Sequence, residues 1–323
     1  MHGRASLAQM GAFMMALRSK RETVQELTGL VDVMLDNAVK LETGSDALDI
    51  VGTGGDLVGT VNISSMASIV AAAAGVPVLK HGSRSASGKT GSSEMLEELG
   101  IRLDLSPSQV AQVFAKEGIT FFFAPVFHPA MRHVAPARKE LGVPTTFNFL
   151  GPLANPAQPI ATALGVADAE IAPLMAAELA TRGRTAIVFR SNDGLDELST
   201  TSDNAIWQVS KGAIETFTFD AREIGIERVS VDALLGGDAR HNAQIAKKLF
   251  SGEEFQNSKA ISDIVCLNAA VGITAYDLAK DSKESETEIN QRLSVAFAMA
   301  QTALTSGAAL AKTKHWSFLT QTI

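Results

Sequence analysis

Three separate segments combine glycines, hydroxyl groups and charges in ways that suit a phosphorylated ligand. The first is "GTGGD", residues 52–56, which precedes Thr60 and a hydroxyl-rich stretch at 62–65. Glycines let a ligand approach bare backbone N–H groups, and the start of a helix adds unpaired N–H donors with partial positive charge. The alternative is a tight turn in which the glycines only supply a positive φ. A dinucleotide-binding fingerprint is excluded because it needs a glycine where the chain has Leu57.

The second segment, "KHGSRSASGKTGSS" at 80–93, carries three cations, five serines and three glycines. The nucleotide-binding P-loop fails by one residue, because the required glycine position holds Ser83. A solvated basic loop is the alternative, but Lys80, Arg84 and Lys89 among short donors favour a clamp for a polyphosphate.

The third segment is "GLDELS", in which Asp196 and Glu197 are adjacent carboxylates after an expected Asn-Asp-Gly turn. Such a pair often faces solvent. In a loop the two carboxylates can also converge on one cation, and Mg²⁺ prefers carboxylates together with phosphate oxygens and water. Asp56 in the first segment favours the same interpretation, because a carboxylate beside a bare phosphate makes sense when a metal ion is present.

The elements that would position these segments alternate along the chain. Residues 5–43 have helical periodicity, and from about residue 47 strand-like apolar runs alternate with helical stretches. Four strands are predicted within 48–52, 76–82, 119–125 and 184–190. The helix after the first strand is expected to have Ser64 or Ser65 as its N-cap. Continuous apolar strands between helices predict a mostly parallel sheet covered on both faces.

The predicted fold class is therefore α/β, with a small N-terminal helical domain and a larger α/β domain. We expect the helical domain to span 1–44 and to be completed by part of the Pro-rich segment 128–158. The α/β domain, which would bind the ligand, is expected to span 45–323.

Composition limits the classes of function. A net charge of −7 over 323 residues disfavours a protein that binds nucleic acid through bulk charge. The single cysteine, Cys266, permits no internal disulfide and favours the cytoplasm. No continuous apolar run reaches the ~18 residues of a membrane span, so no membrane partner is expected.

The order and spacing of "DIVGTGGD", "NIS", "KHGSRSASGKTGSS", "FAPVFHPAMRHVAPARKELGVPTTFNFLGPLANPA" and "GLDELS" resemble the anthranilate phosphoribosyltransferases over almost the whole chain. The resemblance implies transfer of the phosphoribosyl group of phosphoribosyl pyrophosphate (PRPP) to the amine of anthranilate, in tryptophan biosynthesis. Two alternatives are kept open: a nucleoside-phosphorylase-like enzyme, and a non-catalytic relative that binds nucleic acid.

The resemblance also assigns site residues. It implies that anthranilate contacts Gly52, Ser83 and Arg138, and that two Mg²⁺ ions are held by Ser64, Asp196 and Glu197. No side chain is expected to act as a catalytic acid or base. The implied PRPP-binding residues are Gly52, Thr53, Gly54, Gly55, Asp56, Thr60, Asn62, Ile63, Ser64, Ser65, Lys80, His81, Gly82, Ser83, Arg84, Ser85, Ala86, Ser87, Gly88 and Ser92.

The chain departs from the family pattern in two places. The family usually has asparagine where this chain has Ser83, and serine is shorter and has no amide, so a direct hydrogen bond to the acceptor is expected to be lost or bridged by water. The sequence also starts about one helix later than the family does. The resemblance implies a homodimer formed through the helical domain, so we expect either that the sequence is a trimmed form or that this interface is reduced.

Overall fold

A seven-stranded mixed sheet forms the centre of the protein in a computed structural model that describes residues 3–84 and 91–323. Its strand order is β3-β2-β1-β4-β5-β6-β7. Strands β1 to β5 are parallel to one another, and β6 pairs antiparallel with both β5 and β7. The prediction of a mostly parallel α/β sheet is therefore confirmed. The strands are β1 (Leu48–Gly52), β2 (Val78–Gly82), β3 (Ile119–Phe123), β4 (Ala161–Gly165), β5 (Thr185–Ser191), β6 (Asn204–Ser210) and β7 (Ala213–Phe219).

Helices cover both faces of this sheet. The helices are α1 (Leu7–Lys20), α2 (Val24–Asp36), α3 (Ile63–Ala73), α4 (Ser92–Glu98), α5 (Pro107–Glu117), α6 (Ala124–Phe127), α7 (Ala135–Leu141), α8 (Ile171–Thr181), α9 (Ala239–Ser251), α10 (Ser258–Lys280), α11 (Ile289–Thr305) and α12 (Ala308–Thr322). The α3 and α10 helices pack in the main core with β1, and α8 packs in a second core with β5. The sheet is therefore buried on both sides, as its apolar strands require.

The N-terminal helices contact different layers. Met14 of α1 packs against Val134 and Ala137, and this small cluster ties α1 to α7 in the Pro-rich segment. Leu27 and Val31 of α2 instead belong to the core that contains α8. The α2 helix thus bridges the helical part and the α/β part, and the division of the chain at residue 44 stays a prediction.

Several boundaries differ from the predictions. The α3 helix begins at Ile63 with Asn62 as its N-cap, so the N-cap assignment to Ser64 or Ser65 was wrong. Neither β4 nor the β6–β7 hairpin was predicted. The α10 helix has a mean hydropathy of 1.3 over an 18-residue window, which by length and composition alone would suit a membrane span. Because 83% of that window is buried inside the protein, α10 has the surroundings of a core helix.

Strand order reverses around β1. The chain proceeds from β1 outward to β2 and β3 and then returns to the other side of β1 with β4. In open α/β sheets, ligands bind outside the carboxyl ends of the strands at such a reversal. Gly52 and Gly165 end β1 and β4 and are paired across the sheet, so the glycine turn lies at this position.

Candidate active site

The glycine turn after β1 is shaped by both backbone conformation and packing. Gly54 and Gly55 have φ values of 67° and 88°, so the requirement for positive φ is met at both positions. Gly52 serves a different purpose, because a Cβ there would overlap the Asp196 carboxylate. A Cβ on Gly165 would likewise overlap the backbone carbonyl of Asp196. The two strand-ending glycines thus leave room for the acidic loop.

The acidic loop closes directly on the glycine turn. The Asp196 carboxylate accepts a hydrogen bond from the Gly54 backbone N–H at 2.7 Å and shares another with the Asp56 carboxyl group. The Glu197 carboxylate accepts one from the Ser64 backbone N–H at the start of α3. Segments far apart in the sequence therefore meet at one place, whereas the convergence of Asp196 and Glu197 on one cation stays a prediction.

Burial and mutual repulsion raise the pKa values of these carboxyl groups. Burial, followed by the charge of Asp56, raises the pKa of Asp196 to about 7. Burial is also the largest cause of the raised pKa of Glu197, followed by the charge of Asp196. The pKa of Asp56 is raised by burial first. Three crowded carboxyl groups with raised pKa values form a site that a cation would stabilise.

Lys80 is a cation close to this cluster, and it lies beneath the site. Its side chain is 1% exposed, and its ammonium donates to the Ile50 carbonyl at 2.6 Å and to Ser64 Oγ at 3.4 Å. Burial lowers the pKa of Lys80, while the charges of Asp49 and Glu197 act in the opposite direction. Lys80 therefore balances acidic charge from below and supports the start of α3.

The helix starts after β1 and β2 are neighbours. Asn62 Nδ2 donates to the Gly91 carbonyl at 3.1 Å, just before α4 begins at Ser92. Ser92 Oγ in turn donates to the Ser83 carbonyl at 3.3 Å, which connects α4 to the loop after β2. A further buried amide, Asn242 in α9, donates to Asn62 Oδ1 at 2.8 Å. The two helix N-termini thus border the glycine turn on the β2 side.

Part of the basic loop can be placed. Arg84 forms an ion pair with Glu97 at 2.8 Å and lies over the Phe123 ring. Binding of a phosphate by Arg84 would compete with this ion pair. The remaining predicted residues of this loop, Ser85, Ala86, Ser87, Gly88 and Lys89, lie outside the described residues.

Arg138 on α7 is half-buried, and within 3–84 and 91–323 its guanidinium has neither a hydrogen bond nor an ion pair. Burial alone lowers its pKa. An arginine that loses hydration without gaining a partner is suited to bind an anion, with its fork of donors matched to a carboxylate.

Sequence reasoning missed a buried polar network beneath the site. Asp49, the second residue of β1, is fully buried and accepts hydrogen bonds from the His81 backbone N–H and from Asn155 Nδ2. His81 Nδ1 lies 3.1 Å from the Gly151 carbonyl, and the His81 ring lies 5.1 Å from that of His128. The available signal was Asp49 itself, a charged residue within the apolar run of a buried strand.

Two family models match the chain. One, described as the α/β domain of a glycosyl transferase family, matches residues 44–310. The other, described as the helical bundle domain of a glycosyl transferase family, matches residues 1–38.

Curated relatives give the family its name. The anthranilate phosphoribosyltransferase of Leifsonia xyli subsp. xyli is 50% identical over 316 residues, which are 98% of this chain and 89% of the relative. The protein of the same name from Clavibacter michiganensis subsp. michiganensis is 46% identical over 322 residues, with coverages of 99% and 91%. The chain belongs to the anthranilate phosphoribosyltransferase family.

Solved structures of anthranilate phosphoribosyltransferases have the same architecture. The enzyme of Thermus thermophilus superposes with a TM-score of 0.88 at 38% identity, covering 99% of this chain and 92% of that one. The enzyme of Saccharomyces cerevisiae in complex with PRPP and Mg superposes with a TM-score of 0.87 at 26% identity, covering 98% and 86%.

In this member of the anthranilate phosphoribosyltransferase family, the structure brings most of the predicted residues to one edge of the sheet. The described residues gathered at the carboxyl ends of β1 and β2 are Gly52, Thr53, Gly54, Gly55, Asp56, Thr60, Asn62, Ile63, Ser64, Ser65, Lys80, His81, Gly82, Ser83, Arg84 and Ser92. Ile63, Ser65, Lys80 and His81 are buried, so their side chains support the site from beneath. The roles of these residues in binding stay predictions.

Proposed function

We propose that the protein transfers the phosphoribosyl group of PRPP to the amine of anthranilate, yielding N-(5-phosphoribosyl)anthranilate and pyrophosphate. The observation that carries this proposal is the closure of the Asp196–Glu197 loop onto the glycine turn, with the starts of α3 and α4 beside it. This arrangement offers backbone donors for phosphate and carboxylates for a cation at one site. Membership of the family and the PRPP and Mg complex of the yeast relative support it.

The residues present fit Mg²⁺. Without a cation, the carboxyl groups of Asp56, Asp196 and Glu197 would repel the phosphates of a donor bound at the glycine turn. Within 3–84 and 91–323, no group of three or more His, Cys, Asp or Glu side chains could hold a metal ion alone. Mg²⁺ held by Ser64, Asp196 and Glu197 would therefore need phosphate oxygens or water to complete its ligands. We propose two Mg²⁺ ions per site, bound together with the donor.

Arg138 would bind the carboxylate of anthranilate. Its half-buried and unpaired guanidinium supports this role, since a charged partner would replace the water lost on burial. Gly52 and Ser83 complete the proposed acceptor site. Ser83 is exposed on the loop after β2. Its side chain is shorter than the asparagine that the family usually has, so a water would bridge it to the acceptor.

The chemistry proposed is a displacement at the anomeric carbon of the ribose. The bond from this carbon to the pyrophosphate oxygen breaks, the bond to the aryl amine nitrogen forms, and the nitrogen then loses a proton to solvent. A neutral aryl amine is already nucleophilic, so positioning and charge stabilisation carry the catalysis. Bound Mg²⁺ would supply positive charge to the departing pyrophosphate.

The test is a fluorescence assay of anthranilate consumption with PRPP, with and without Mg²⁺. We expect consumption that requires both PRPP and Mg²⁺, and none when thymidine and phosphate replace PRPP. The variant with both Asp196→Ala and Glu197→Ala should lose at least about tenfold in turnover, because the charge facing pyrophosphate is lost. Glu227→Ala, at an exposed position outside the acidic loop, is the control. Consumption that is independent of Mg²⁺, or an unaffected double variant, would contradict the proposal.

We further propose that the protein is a cytoplasmic homodimer. Leu7 and Phe13 on α1 and Val33 on α2 are exposed apolar side chains, with Phe13 49% exposed, and they support an interface on the helical part. The buried thiol of the lone Cys266 is consistent with a reducing compartment.

A further inference from the structure

The carboxyl ends of β1 and β2 are joined mainly by side chains. The register of β1 with β2 consists of the single pair Leu48 and Val78, whereas β1 pairs with β4 at five positions and β2 with β3 at five. The strands that lead into the glycine turn and the basic loop are thus the most loosely paired of the parallel strands.

Three side chains satisfy backbone groups between these two strands. The Ile50 carbonyl accepts from Lys80 Nζ at 2.6 Å. Asp49 Oδ1 accepts from the His81 backbone N–H at 3.1 Å. Asn155 Nδ2 donates both to Asp49 Oδ2 and to the Leu79 carbonyl, each at 2.8 Å. All three side chains are at least nine-tenths buried, so these bonds are formed away from solvent.

The Asp49–Asn155 bridge is built to maintain a fixed separation. Asn155 Oδ1 also accepts from the Ala157 backbone N–H at 3.0 Å, so each polar atom of the amide and carboxylate that bridges the strands has a partner. A satisfied buried network has one favourable geometry, since any displacement would leave a buried donor or acceptor unpaired.

We infer that Asp49 and Asn155 are positioning residues that fix the separation between the ends of β1 and β2, so that the glycine turn at 52–56 and Ser83 and Arg84 after β2 face the same donor molecule. Neither side chain reaches the substrate, because both act from beneath the two loops. This inference rests on the proposed function.

The inference predicts a specific kinetic change. In Asp49→Asn, an NH₂ group must face either the His81 N–H or the Asn155 NH₂ group, so one of the two hydrogen bonds is lost. We expect the KM for PRPP to rise about tenfold and kcat to fall, with a smaller rise in the KM for anthranilate, because the acceptor would contact Gly52 and Ser83 on the two loops while Arg138 lies on α7 outside the bridge. Asn155→Ser, which removes the amide donor to Asp49 and to the Leu79 carbonyl but keeps the bond from the His81 N–H to Asp49, is the second variant and should move the same parameters in the same direction.

Rescue by exchange distinguishes positioning from general stability. The double variant Asp49→Asn with Asn155→Asp again places an amide opposite a carboxylate. The new amide oxygen at position 49 is then free to accept from the His81 N–H, while the Leu79 carbonyl loses its donor and faces a carboxylate oxygen instead. The KM of this double variant for PRPP should fall below that of Asp49→Asn, a partial rescue, because the Leu79 carbonyl stays unsatisfied. Gln208→Leu, which removes a buried polar side chain from β6 that accepts from Arg292, is the control, and it should lower the Tm without changing either KM.

Wild-type and variant proteins are measured in the same assay, so a failure of the proposed function and a failure of the positioning inference give different results. A wild-type protein without PRPP-dependent activity would refute the proposed function. An active wild type accompanied by single variants with lowered Tm and unchanged KM for PRPP would overturn the inference. A double variant no better than the worse single variant would also overturn it.

Discussion

Arg138 is the residue whose surroundings most directly predict a kinetic effect. Its guanidinium is half-buried and unpaired within the part of the chain that the structure describes, so a substrate carboxylate would be its first charged partner. We expect Arg138→Ala to raise the KM for anthranilate about 10- to 100-fold, since hydrogen bonds to charged groups contribute about 1.5–3 kcal/mol. The KM for PRPP should change much less, and steady-state kinetics with each substrate varied separately would measure both.

Arg132→Ala is the matched control for this prediction. Arg132 is an exposed arginine six positions earlier in the chain, and its loss should leave both constants near the wild-type values. Equal increases in the two KM values of Arg138→Ala would contradict the assignment of this residue to the acceptor.

At the scale of the element, the glycines that end β1 and β4 leave the space that the acidic loop occupies. A Cβ on Gly165 would overlap the Asp196 carbonyl, which is backbone and cannot rotate away. We expect Gly165→Ala to lower the free energy of unfolding by about 1–3 kcal/mol or more and to weaken activation by Mg²⁺, because the loop carrying Asp196 must shift. Thermal unfolding and a Mg²⁺ titration of activity would measure the two effects.

Gly29→Ala provides the comparison on a helix. Gly29 lies inside α2 with no atom near the position of a Cβ, so alanine there should stabilise the protein by up to about 1 kcal/mol. A Gly165→Ala variant with unchanged stability and unchanged Mg²⁺ activation would show that the acidic loop can move without cost.

The strands and helices also show how much of the fold could be predicted from the sequence. The strands at 48–52 and 119–123 were predictable because continuous apolar runs lie between turn signals. The β4 strand was missed because "ATALG" consists mainly of small residues without β-branched enrichment. The N-cap of α3 was misassigned to Ser64 or Ser65 because serine is a common cap, whereas Asn62 occupies the position without a side-chain capping bond.

The candidate site shows the same difference between features with a local sequence signal and features that depend on long-range contacts. Its loops could be predicted, since glycines, hydroxyls and charges carry a local signal. The contact of Gly165 with Asp196 and the bridge from Asp49 to Asn155 depend on which strands are neighbours. Local sequence patterns do not contain that information, and β4 itself had not been recognised.

At the scale of the whole molecule, the exposed apolar side chains on α1 and α2 predict self-association. The three positions Leu7, Phe13 and Val33 are between 42% and 49% exposed. We expect analytical ultracentrifugation to give a dimer and Phe13→Asp to shift the equilibrium to monomer, since a charge buried in an interface is costly. Phe318→Asp, at an apolar position on α12 that is 70% exposed, is the control and should remain dimeric. A monomeric wild type at micromolar concentration would contradict the proposed interface.

We expect the acidic cluster to lower the free energy of unfolding when no cation is bound. Burial raises the pKa of Asp196 to about 7 from an ordinary value of 3.8, so between these pH values the folded chain binds more protons at this position than the unfolded chain does. The free energy of unfolding must therefore fall as the pH rises through this window. In Asp196→Asn the amide oxygen can still accept from the Gly54 backbone N–H, while the charge that faces Asp56 and Glu197 is gone.

We therefore expect Asp196→Asn, in the absence of Mg²⁺ and PRPP, to have a Tm at least about 2 °C above wild type at pH 8, which for a chain of this size corresponds to roughly 1 kcal/mol. The difference should shrink as the pH is lowered towards 4, because the carboxyl group of the folded wild type is then protonated and uncharged. Glu227→Gln, at an exposed position outside the acidic loop, should follow the wild-type curve. An Asp196→Asn variant that is less stable than wild type at pH 8 would mean that the carboxyl groups do not destabilise one another. The cluster would then provide no energetic reason to bind a cation.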